Sequence, residues 1–266
     1  MPSTFLTLLE PSRLMLLAMV LCRTSGLVMV APVFGSSDVP MKLRAFFALL
    51  LTLMIVSVRF YQRVPEPTAM IDFAVYLAAE VAIGLVLGLG VWMYLLAFQL
   101  AGQIVSQSAG MSLADVFVPG LDTSVPIVSQ LLHLFATVVF LAIGGHRLLI
   151  AAFLNTFEVL PPGAGLAVDG VPAMLTTMLA ESFEFGIRVA APGITALLLA
   201  TLVLGLVSRT LPQLNIMAFG FGMNAMLALG VLAMTFGAAA WSLEEQIESV
   251  VDTVRDGLTP QSQPDA

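Results

Sequence analysis

The sequence predicts an all-α membrane protein made of kinked helical hairpins, with about six apolar helical segments. Three observations carry that reading. Only 10% of the 266 residues are charged, against about 25% in a soluble domain. The mean hydropathy is +1.01. Apolar runs recur along the chain, several of them near the roughly 20 residues that cross a bilayer as a helix. The net charge is −7 and no basic cluster is present, which argues against a nucleic-acid partner. The single cysteine, Cys22, lies inside an apolar run, so no intrachain disulfide and no metal spacing is available. No metal and no cofactor is expected.

The first apolar run covers residues 14–34. It lacks a basic start and a small-residue cleavage site, so it reads as retained rather than as a removed signal. Arg23 interrupts it. A guanidinium at the bilayer centre costs about 2.5–3.5 kcal/mol. Arg23 therefore either snorkels or pairs with a carboxylate, or it faces a protein interior or an aqueous path. Pro32 disfavours helical geometry at Ala31 and ends the segment. Lys42 and Arg44 open the second run, 43–58, and are both expected to reach interfacial water or lipid phosphate. Arg59, Arg63, Pro65, Glu66 and Pro67 mark a loop. The third run, 71–100, is longer than one span needs and carries Glu80, Gly84 and Gly88. Gly84 and Gly88 form a small-xxx-small face that lets another helix approach closely. Glu80 is either a partnered structural charge or part of a proton or substrate path.

Residues 103–130 then break the pattern. This insert holds Gln103, Ser106, Gln107, Gly110, Met111, Ser112, Asp115, Phe117, Pro119, Gly120, Asp122 and Gln130, and no Lys or Arg. A polar, Gly- and Pro-punctuated segment between two long apolar runs is the place for a pore, a gate or a substrate site. The fourth run, 127–150, carries His133 and His146, both expected as hydrogen-bonded packing residues. A loop at 161–170 precedes a moderately apolar helix, 173–184, that ends with Glu181 and Glu184. The fifth run, 185–208, contains Arg188 and Pro192, with Glu184 and Arg188 at the i,i+4 spacing of an ion pair. Pro212, Gln213 and Asn215 lie in a short polar turn, and a sixth run reaches Trp241, so these runs predict an antiparallel hairpin. Residues 242–258 predict an amphipathic helix with an acidic face suited to a protein partner, and 259–266 a disordered tail.

Enzyme motifs are missing: there is no Walker loop, nucleophile elbow, zinc spacing or carboxylate pair placed for hydrolysis. The chain reads as no enzyme. Two classes remain on the residues alone, a subunit of a membrane pore or export complex and an ion-coupled secondary transporter. Carriers commonly show two similar halves, and no such repeat is visible here.

Several segments together resemble a known family. Arg23-Thr24-Ser25-Gly26-Leu27, Ala31-Pro32-Val33-Phe34 and Val39-Pro40-Met41-Lys42-Leu43-Arg44 resemble the N-terminal signature of the FliR family, a membrane component of the bacterial flagellar type III export gate. Ala101-Gly102-Gln103-Ile104, Gly145-His146 and Pro212-Gln213-Leu214-Asn215-Ile216 with Gly220-Phe221 follow in family order. The resemblance implies a single-copy subunit of the inner-membrane export gate in the flagellar basal body. It implies FliP-like and FliQ-like partners in a helical pore, with FlhA-like and FlhB-like subunits docked on it and unfolded flagellar proteins as cargo. It further implies a FliP-like part, 1–184, with a plug loop at about 103–130, then a FliQ-like hairpin, 185–241. Val118-Pro119 stands where that family often has Asp-Pro. The injectisome export-gate subunit is the sibling reading.

Overall fold

The computed structural model of the protein describes residues 10–36, 39–58, 69–110, 126–164, 171–210 and 222–230, with 220, 233 and 253. Among these residues every regular element is helical, and no strand occurs. Six helices have defined bounds: α1 (Pro11–Val30), α2 (Met41–Val58), α3 (Met70–Ser108), α4 (Ile127–Ala142), α5 (Gly145–Val159) and α6 (Val171–Thr210). Residues 222–230 are also helical. Four of the six are long and apolar enough to cross a membrane, or five spans result if the bent pair α4 and α5 counts as one. The protein is an all-α membrane protein.

Local chemistry sets the element ends. Pro11 sits at the first turn of α1, where its missing N–H costs nothing. Ala31 leaves helical geometry at ψ 134 just before Pro32, the restriction that a following proline imposes. Phe34 stacks on Phe47 with ring centroids 4.6 Å apart, fastening the break to α2. Arg44 differs from expectation. Its Nε donates to the Val39 carbonyl at 3.0 Å and its Nη2 to the Ser36 carbonyl, so it is half-buried over the turn rather than reaching out to water or lipid. Both carbonyls lie ahead of the helix, and Ser36 O also accepts the Val39 N–H at 3.0 Å, so the guanidinium braces that turn. Lys42 is exposed.

Three segment boundaries also differ. The third run does not stop at 100: α3 continues through Ser108, taking the first residues of the polar insert into its last turns. Ser108 satisfies its own hydroxyl by donating to Ile104 O at 2.8 Å, and Gly110 closes the helix at φ +74. The fourth run is two helices, because Gly144 at φ +78 places a left-handed residue between Ile143 and α5. Conversely, 173–184 and 185–208 are parts of one 40-residue helix, α6. Gly186 next to the join keeps helical geometry, its missing Cβ set against Ala97 O, and the Glu184–Arg188 pair bridges the join at i,i+4. Pro192 is accommodated inside α6. Apart from 220, 233 and 253, the polar turn, the rest of the sixth run, the C-terminal amphipathic helix and the tail lie outside the described residues.

The chain forms two compact units. One comprises Met1–Trp92, Gly144–Met178 and Glu248–Ala266, the other Met93–Ile143 and Leu179–Ile247. The first unit buries Met19 on α1, Ile83 on α3 and Phe153 and Phe157 on α5. The second buries Tyr94 and Phe98 on α3, Phe140 on α4 and Leu197 on α6. In the second unit Phe185 packs edge-on against Phe98 at 5.4 Å between centroids, and Tyr94 donates to a Glu181 carboxylate oxygen at 2.8 Å.

In the first unit, α1 and α3 meet through glycines. A Cβ at Gly84 would overlap Arg23 O and lie 2.8 Å from Leu27 N, and one at Gly88 would lie 3.1 Å from Ala31 N. Gly26 returns the contact against the Val81 carbonyl. These are backbone atoms, which cannot swing aside. Gly84→Ala should therefore destabilise the protein by about 1–3 kcal/mol, the range for an overpacked interior, read as a lowered thermal midpoint in detergent. An unchanged midpoint would contradict this packing.

Candidate functional site

Two constellations stand out: a buried charge cluster in the first unit, and the paired helix ends that flank the polar insert in the second.

Arg23 is 0% exposed and Glu80 2%. The Arg23 Nε donates to Glu80 Oε2 at 2.5 Å. Its Nη1 reaches three acceptors at the end of α5: Thr156 O at 3.2 Å, Thr156 Oγ1 at 3.3 Å and Leu160 O at 3.0 Å. Thr156 O already accepts the Leu160 N–H, so Nη1 shares it and adds Leu160 O, at a helix C-terminus where the macrodipole also favours a cation. The guanidinium carbon lies 4.4 Å from the Phe157 ring centroid, a cation–π contact out of water. The other Glu80 oxygen accepts from the Gly163 backbone N–H at 2.9 Å, and Gly163 holds φ +83. One ion pair thus ties α1 and α3 to the C-terminus of α5 and to the turn at 160–164. Of the readings open for these residues, Arg23 pairs with a carboxylate inside the protein, and Glu80 is a partnered structural charge.

Arg188 is elsewhere. It pairs with Glu184 on the surface of α6, where the two side chains are 72% and 63% exposed. An exposed i,i+4 pair is worth about 0.3–0.5 kcal/mol, so it trims the surface and does not organise the interior. His133 and His146 are both part-buried, each with a buried Nδ1 that has no hydrogen-bond partner, in contrast to the expectation of hydrogen-bonded packing residues. Among the described residues no group of three His, Cys, Asp or Glu could hold a metal.

Of the plug residues named above, Gly110 is described, just after α3. Met111, Ser112, Asp115, Phe117, Pro119, Gly120 and Asp122 lie outside the described residues, as do Pro212, Gln213 and Asn215 of the turn. The helix ends on either side of 111–125 are placed, and they touch. Gly102 of α3 lies so close to α4 that a Cβ there would stand 2.5 Å from Ser129 Cα. Ser129 is fully buried, and its hydroxyl donates to the Gln99 carbonyl of α3. Sequence reasoning passed over this contact. Its signal was the run of small residues at Ala101 and Gly102, read only as the start of the insert. A groove of about 310 Å³ opens beside it between α3 and α6, lined by Met93, Leu96, Leu100, Gln103, Leu179 and Phe183 among others.

The model of the family described as bacterial export proteins, family 1, matches residues 14–250 of the chain. Individual proteins are similar over the same length. The flagellar biosynthetic protein FliR of Caulobacter vibrioides is 27% identical over 235 residues, covering 88% of this chain and 94% of that protein. That of Escherichia coli K12 is 28% identical over 237 residues, covering 89% and 90%. That of Bacillus subtilis is 26% identical over 247 residues, covering 90% and 93%.

The buried pair makes a specific energetic prediction. Arg23→Met or Glu80→Met alone should cost about 3–5 kcal/mol, because each leaves an uncompensated buried charge. The double Met variant should be markedly less damaged than the sum. Reversible unfolding in detergent measures all three. Additive losses would mean that the two charges do not depend on each other.

Proposed function

The chain belongs to the bacterial export proteins of family 1, the FliR family, and from that premise we propose that it is a single-copy subunit of the flagellar type III export gate in the bacterial inner membrane. In this reading it joins FliP-like and FliQ-like subunits in a helical pore for unfolded flagellar proteins. FlhA-like and FlhB-like subunits dock on that pore. Residues 1–184 form the FliP-like part and 185–241 the FliQ-like hairpin.

The observation that carries the reading is the insert. It is polar, holds Gly110, Pro119 and Gly120, and has no Lys or Arg, yet it sits between α3 and α4, whose facing residues are buried. Residues 110–125 then serve as the plug of the resting pore. The flagellar names of the relatives favour the flagellar gate over its injectisome sibling. A proton-coupled carrier is disfavoured by the charge cluster. Both carboxylate oxygens of Glu80 are already engaged, one by Arg23 and one by the Gly163 N–H, so that group holds the fold together rather than standing open to a solute.

Deleting 112–122 should raise ion leak across the inner membrane when the chain is expressed with its partner subunits. Unchanged leak at normal protein level would remove the plug role. Native mass spectrometry of the chain co-expressed with FliP-like and FliQ-like subunits should show one copy per complex. Recovery only as a free monomer would count against the assembly.

A further inference from the structure

We propose that Gly102 and Ser129 are positioning residues, a clamp that holds the adjoining ends of α3 and α4 together and so fixes the two anchor points of the insert. The inference rests on reading 110–125 as the plug, and it adds which residues outside the plug hold it in register.

The argument starts from the spacing. Gln99, Gly102, Ser106 and Ala109 follow one another at i, i+3, i+7 and i+10, so they share one face of α3. Gly102 is buried, Ser106 is 0% exposed and Ala109 2%. The Gly102 contact with α4 is with main chain: besides Ser129 Cα, a Cβ would stand 2.9 Å from Ser129 N and 3.1 Å from Val128 O. Ordinary carbon contacts sit at about 3.5–4.0 Å. A methyl group at 102 would therefore drive the start of α4 away by about 1 Å or more. The second grip is chemical. The Ser129 hydroxyl donates to Gln99 O, which sets how α4 is rotated and shifted along α3. Gly102 is about two turns before Gly110, and Ser129 less than one turn after Pro126. The clamp thus acts close to both exits of the insert. The two points where the insert joins α3 and α4 are set by a backbone-to-backbone contact that tolerates no side chain.

The test measures ion leak per assembled complex, in the inner membrane of cells that co-express the full chain with its partner subunits. The variants are Ser129→Ala, Gly102→Ala, Gly102→Leu and the 112–122 deletion. We expect a graded rise: about twofold for Ser129→Ala, which loses the hydrogen bond and little volume, several-fold for Gly102→Ala, and close to the deletion for Gly102→Leu, each at wild-type complex abundance. A wild-type leak in Gly102→Leu beside a leaky deletion overturns the clamp and leaves the plug standing. A tight deletion overturns the plug reading, and the clamp's role with it. If Gly102→Leu does not assemble, Gly102→Ala decides: a raised leak per complex supports the clamp, and a wild-type leak overturns it.

Discussion

The first unit hangs on the Arg23–Glu80 ion pair. Each partner alone would be a charge stranded among apolar helices, a state that costs several kcal/mol per ion. Together they are 0% and 2% exposed, and further atoms of each reach backbone: the guanidinium Nη1 donates to Thr156 O and Leu160 O, and the second carboxylate oxygen accepts from the Gly163 N–H, while Arg23 Nη2 is buried with no partner among the described residues. The pair therefore does more than cancel charge. It supplies hydrogen bonds to a helix end and a turn that would otherwise carry unsatisfied groups in a dry interior. α1, α3, the end of α5 and the turn after it share one set of bonds, and none of them can shift without breaking it.

Such a pair can form only if its helices come close, and glycine makes that possible. Apolar side chains gain little by leaving lipid for another helix, so close backbone approach and interhelical hydrogen bonds carry association in a membrane. Gly26, Gly84 and Gly88 supply the approach between α1 and α3 in the first unit. In the second unit Gly102 does the same for α4, and Gly186 sits against Ala97 O of α3. Both units use one device, a missing Cβ set against main chain, with a polar contact nearby: Arg23 to Glu80 in one, Ser129 to Gln99 in the other.

Much of this was legible in the residues. The charge deficit and the recurring apolar runs led to a helical membrane protein, and Pro32 marked where α1 ends. Glu184 and Arg188 predicted their own pairing from spacing alone. Boundaries read from composition fared worse. The polar residues 103–108 looked like an insert but continue α3, since Gln and Ser are tolerated in a helix whose ladder is already propagating. The charges at Glu181 and Glu184 looked like the end of a helix, yet both lie inside α6, Glu184 exposed and Glu181 accepting from the buried Tyr94 hydroxyl. His133 and His146 looked like ordinary hydrogen-bonded packing residues, and each keeps a buried Nδ1 without a partner among the described residues. Composition reports average environment, whereas a helix stops for a local backbone reason, as at Gly110 and Gly144 with their positive φ.

The polar stretch between the runs, the fold class and the family resemblance were all determined by the sequence itself, because each rests on residue type and order. What only the tertiary structure decided is who meets whom. Arg23 and Glu80 are 57 residues apart, and Arg23 and Leu160 are 137. No periodicity links such positions, since a helical repeat relates neighbours within a few turns and says nothing about which face of another helix lies opposite. Gly102 and Ser129 stand on either side of residues 111–125, and their contact depends on the crossing of two helices. The sequence names the groups that must find partners; the packing of backbones, down to a missing methyl, selects them.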